Sequence, residues 1–94
     1  MPKKFFIANE LPIAIYIVVK RRPGADRDFY ISNSPPANKL DAYYKIGYDQ
    51  YFEFNEPIDT CRIHNNLGRG FSARRITNDE KIVFHLKAFK DGAN

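Results

Sequence analysis

Tryptophan is absent from this chain of 94 residues, and cysteine and methionine each occur once. A single Cys61 excludes an intramolecular disulfide, so the fold does not rest on oxidation, which suits a reducing cytosol. A long apolar run is also missing. The run Ile13–Val19 has seven residues, against about 20 for a membrane-spanning helix. It follows a basic start, as in a signal peptide, but Glu10 and Pro12 interrupt the approach and no small-residue cleavage site follows. These features predict a cytoplasmic protein without a targeting or membrane segment.

Catalytic patterns are equally scarce. No Gly-x-Ser-x-Gly elbow is present. Cys61 and His64 lie three residues apart in a strand-like run, which points them to opposite faces, and with His85 they do not make a recognisable zinc spacing. Gly68 and Gly70 in LGRGFSARR lack the later glycine, the helix and the acidic residue of a dinucleotide fingerprint. The carboxylates Asp49, Glu53 and Glu56 have no spacing that fixes their geometry. The segments Ala14–Tyr16 and Tyr30–Ser32 carry a faint echo of the paired motif of GIY-YIG nucleases. Ala14 and Ser32 replace both of its glycines, and no arginine lies between Arg27 and Arg62. Ile-Tyr alternation in two strands explains the echo. The expectation is a protein that is not an enzyme, with no catalytic residues, no metal and no cofactor.

Aromatic rings and strand patterns are what the chain does contain. Six Tyr and eight Phe make aromatics 15% of the sequence, and the apolar fraction is 44%. That is globular composition, at a length that holds one core, so residues 1–94 read as a single domain. No clear helical stripe occurs. Ile13–Arg21 is β-branched and apolar on both faces, as in a covered central strand. Pro23-Gly24 turns the chain, and Phe29–Ser32 returns as the second strand of a hairpin. Asn38–Lys45 fits a short helix or a strand. Phe52 and Phe54 share one face of Tyr51–Asn55. The runs DTCRIHNN, FSARRIT and KIVFHLKAF complete the series, the first two joined by a turn in which Gly68 and Gly70 supply positive φ. The fold class expected is all-β, or β-rich α+β with one short helix: a small antiparallel barrel or sandwich of about six to eight short strands. Ile15, Ile17, Val19, Phe52, Phe54, Ile82, Phe84 and Leu86 form its expected core.

Charge is segregated. Residues 1–40 carry a net +4, residues 41–60 a net −4 and residues 61–77 a net +4, within a total of +4. Tyr43, Tyr44, Tyr48 and Tyr51 fall in the acidic block. Arg69, Arg74 and Arg75 crowd LGRGFSARR, and Arg62 in the preceding strand is expected opposite Arg74 or Arg75. Like charges placed opposite are costly unless an anion lies between them. Tyrosine and arginine are the residues that protein interfaces concentrate at hot spots. Together they predict a non-enzymatic module of accessory, adaptor or inhibitor type. It docks on a protein or nucleoprotein through Tyr43, Tyr44, Tyr48, Tyr51, Arg69, Arg74 and Arg75, and there is room for a homo-oligomer. The alternative is a single-stranded nucleic-acid-binding barrel. It would use Arg21, Arg22, Arg27 and Arg62 on phosphates, with Phe29, Tyr30 and Phe71 as stacking platforms.

Overall fold

A computed structural model describes residues 3–22, 26–68 and 70–88. The described residues are all-β, with no helix. Eight strands run in the order β1 (Lys4–Asn9), β2 (Ile15–Arg21), β3 (Arg27–Ser32), β4 (Tyr44–Ile46), β5 (Gln50–Glu53), β6 (Cys61–Asn65), β7 (Phe71–Thr77) and β8 (Lys81–Ala88). They form two four-stranded sheets. Sheet I has the order β5-β1-β8-β7 and sheet II the order β4-β2-β3-β6. The two sheets pack as a sandwich. No described helix is long and apolar enough to cross a membrane.

Period-2 alternation explains the packing. In sheet I, Phe5, Ile7, Phe52, Ile82, Phe84 and Leu86 are buried; in sheet II, Ile15, Ile17, Phe29 and Ile31 are buried. The Phe5 ring lies flat on Phe29 at 4.1 Å between centroids and 12° between planes, joining β1 to β3 across the two sheets. Phe54 meets Phe29 edge-on at 5.5 Å. Leu11, Ile58 and Leu67, from the connections, are also buried in this core. Of the expected core, Val19 alone is only partly buried, though it packs against the rest.

Register departs from local expectation in two places. β1 pairs with β8, and β3 with β6, in parallel; the remaining pairs are antiparallel. The β2–β3 hairpin forms as expected, with Tyr16 opposite Ser32 and Arg21 opposite Arg27. LGRGFSARR is not a hairpin. β6 belongs to sheet II and β7 to sheet I, so this segment carries the chain between sheets. Gly68 and Gly70 do adopt φ of 90° and 86°, but they serve a crossover. Two anchors set its direction: the Asn66 N–H donates to the Ile31 carbonyl at 2.8 Å, and Leu67 inserts into the core. Arg62 therefore lies opposite Asp28, not opposite Arg74 or Arg75. Asn38–Lys45 forms no helix; its end enters β4. Pro23, Gly24 and Arg69 lie outside the described residues.

Candidate protein-docking face

Outer positions of sheet I alternate with its core positions, and the register lines them up in rows. One row reads Tyr51, Ala8, His85, Arg74 across β5, β1, β8 and β7. The next reads Glu53, Phe6, Val83, Ile76. Tyr51 is 73% exposed and Ile76 47%; Phe6, Ala8 and Val83 are half-buried. Phe6, Ala8, Tyr51, Lys81, Val83 and His85 line a shallow groove of about 200 Å³. An apolar band thus crosses the sheet, with Lys4 opposite Lys81 at one end and Arg74 and Lys87 at the other.

Polar neighbours order the rim. Glu10 accepts from His85 Nδ1 at 2.7 Å and faces Lys87 Nζ at 3.7 Å. The Lys81 ammonium stands 5.8 Å from the Phe6 ring centre, cation over π face. Arg74 and Arg75 are exposed. Among the described residues no carboxylate pairs with either of them, nor with Arg62.

The tyrosines expected to act together spread around the β4–β5 side of the sandwich. Tyr51 joins the outer face of sheet I. Tyr43 lies edge-on to Tyr16 at 5.6 Å. Tyr44 leans on Phe52 at 4.8 Å, and Tyr48 occupies the turn, 68% exposed. Tyr51 and Arg74 are the pair the sheet brings onto one face. Arg75, one residue on, turns inward: its guanidinium is 5.8 Å from the Phe84 ring centre and its Nε donates to Thr77 Oγ1 at 3.0 Å.

Several groups of the nucleic-acid set are placed differently. Phe29 is 0% exposed, so it offers no stacking platform. Arg27 is 5% exposed, with its guanidinium donating to Glu56 at 2.9 Å. Arg21 faces the same carboxylate at 3.6 Å, and Arg22 faces Asp28 at 3.7 Å. Phe71 packs half-buried against the core. Tyr30 lies on the outer face of sheet II, but His64 covers it at 4.2 Å and 7°.

Cys61 is half-buried on the inner side of β6, and burial pushes its thiol up from 9.0 to about 11, against a smaller downward pull from Arg75. His64 lies on the outside of sheet II and His85 on the outside of sheet I. Among the described residues no group of three or more His, Cys, Asp or Glu side chains converges on a point that could hold a metal ion.

Phe6, Val83, Ile76 and Lys81 were missed from sequence, although a signal existed. Phe5 and Phe6 are neighbours in a strand, so one must face outward, and Val83 occupies the outward side of an otherwise polar face. No protein-family model, no curated protein and no solved structure matches this chain.

Proposed function

We propose that the protein is a non-enzymatic binding module, of accessory, adaptor or inhibitor type, that docks on another protein with the outer face of sheet I. The observation that carries this reading is the row Tyr51, Ala8, His85, Arg74, beside the apolar row through Phe6, Val83 and Ile76. An aromatic anchor and an exposed guanidinium flank a mainly apolar band on a sheet, the arrangement in which interfaces concentrate binding energy. Lys4, Lys81, Arg74 and Lys87 outnumber Glu53 and Glu10 on this face. The matching surface is therefore apolar at its centre with carboxylates around it.

Affinity capture from lysate of the source cells tests this, with wild-type protein, Tyr51→Ala and Arg74→Ala as parallel baits. The expected result is a protein retained after nuclease treatment and weakened about tenfold or more by each variant, as at a hot spot. Salt should act mainly on its association rate. Capture that disappears with nuclease would overturn the reading in favour of the nucleic-acid alternative. So would a bound single-stranded oligonucleotide whose affinity falls linearly with log salt.

A further inference from the structure

We propose that the free edge of β7 is a strand-addition site for an extended acidic segment of a partner protein. The proposal rests on the reading of the molecule as a protein-docking module and names how part of the partner is held.

Sheet I ends at β7, which pairs with β8 alone among the described residues. The other outer strands are shorter. β4 has three residues, β5 four and β6 five, whereas β7 has seven. Short edges are the usual protection against unwanted pairing, as are Pro and Lys. β7 is long and contains neither Pro nor Lys.

The backbone direction of this edge follows from hydrogen bonds on both flanks of β8. The Asn78 N–H donates to the Lys81 carbonyl at 3.0 Å, and the Glu80 and Leu86 carbonyls accept from Lys4 and Glu10 of the β1 segment. Odd-numbered residues of β8 therefore turn their polar groups toward β7. Antiparallel pairs alternate, and Ser72, Arg74 and Ile76 are the cross-strand partners of Lys87, His85 and Val83. The N–H and C=O groups of Phe71, Ala73, Arg75 and Thr77 then point away from the sheet, in the pattern an added strand would pair with.

Charge selects the occupant. Arg74 is the central residue of β7, so a second copy pairing antiparallel about that centre sets Arg74 against Arg74. Like charges directly opposite are destabilising. An acidic strand reverses the sign. Arg74 faces the outer side of sheet I and Arg75 the inner side, so two consecutive carboxylates on an added strand meet one guanidinium each, through charge-assisted hydrogen bonds. Arg62, exposed on the adjacent edge strand β6, adds to the same field.

The probe is the blocked peptide Thr-Val-Thr-Glu-Glu-Val-Thr-Val, titrated into 15N-labelled protein, with a Lys-Lys counterpart as control. Binding of the acidic peptide alone is expected. Amide exchange should slow at least tenfold at Ala73, Arg75 and Thr77, and change little at Arg74 and Ile76. Ala73→Pro removes one outward donor at an edge position that tolerates proline, and should weaken binding at least tenfold. The double variant Arg74→Glu/Arg75→Glu should prefer the Lys-Lys peptide. Absence of binding at millimolar peptide would overturn strand addition. So would protection without the alternation, or unchanged charge preference in the double variant. If the peptide fails while protein capture sensitive to Tyr51→Ala persists, strand addition falls alone. If capture fails as well, the docking reading falls with it.

Discussion

Single side chains set measurable limits on this molecule, and Cys61 is the most direct. Its thiol ionises near 11 because burial disfavours the thiolate, with Arg75 opposing the shift from the neighbouring strand. Alkylation by iodoacetamide should therefore be slow at neutral pH and keep rising toward pH 11. Arg75→Ala removes the opposing cation and should move the profile higher still. A wild-type midpoint near 9 would show that the thiol is not desolvated. The same shift bears on stability. The unfolded thiol ionises first, near 9.0, while the folded one keeps its proton to about 11. The contribution is thus whole below 9 and lost as pH rises through that window. In the core, Phe29 carries the contact between sheets through its stack on Phe5. Phe29→Ala should cost about 3–5 kcal/mol in denaturant unfolding, a large share of the roughly 5–15 kcal/mol typical of a domain. A loss below about 1 kcal/mol, roughly what a single buried methylene is worth, would contradict its place between the sheets.

Strands and turns depend on a few polar fixings, of which Asn9 at the end of β1 is the most buried, at 1% exposure. Its Nδ2 reaches the carbonyls of Ile13 at 2.9 Å, Ile46 at 3.3 Å and Gly47 at 3.0 Å, and its Oδ1 accepts from the Leu11 N–H at 3.1 Å. An amide has only two N–H donors, so one is shared. The side chain ties sheet I to the end of β4 in sheet II. Asn9→Leu keeps the branched outline and strands these groups, and should cost at least about 2 kcal/mol. Asn9→Asp should be worse at neutral pH and recover on acidification, when the protonated acid can donate again. Equal stability for all three proteins in a thermal melt would remove Asn9 from this role. At the other side of sheet I, Arg74→Thr/Arg75→Thr takes the like-charge penalty off β7. Concentration-dependent dimers in sedimentation are then expected, where wild type remains monomeric; a monomeric variant would mean the arginines do not guard the edge. Strands were legible because alternation is local: KIVFHLKAF announced its inward face through Ile82, Phe84 and Leu86. Partners were not. Nothing within DTCRIHNN says that its neighbour is β3, some thirty residues back in parallel, so chain proximity alone points Arg62 to Arg74 or Arg75. Phe29 as a stacking platform, in the nucleic-acid alternative, fails for a related reason. The rings of FYIS alternate, and sequence does not say which of Phe29 and Tyr30 faces in.

Over the whole molecule the two ends of the sandwich differ in sign. Asp49 and Glu53 lie on the β4–β5 side, and Arg62, Arg74 and Arg75 on the β6–β7 side. Part of the acidic block is paired within the chain: Glu56 holds Arg27 and Arg21, and Asp41 holds Lys20 at 3.3 Å. The segregation read along the chain therefore survives in space mainly at these edges. The pairing of β1 with β8 also orders assembly. β2 and β3 meet through a short connection, whereas β1 reaches β8 only across nearly the full length, and distant pairings form late. Pulse-labelled hydrogen exchange during refolding should protect the amides of Val18 and Tyr30, which face each other between β2 and β3, before those of Phe6 and Ala8, which face β8; the reverse order would refute this. On the ribosome the delay becomes a hazard. At roughly 5–20 residues per second, β1 is made about 4–15 s before β8. Throughout that interval β1 lacks the β8 side of its sheet and Phe5 lacks the Phe84 ring beside it, so newly made molecules should lean on a chaperone that the finished one no longer needs.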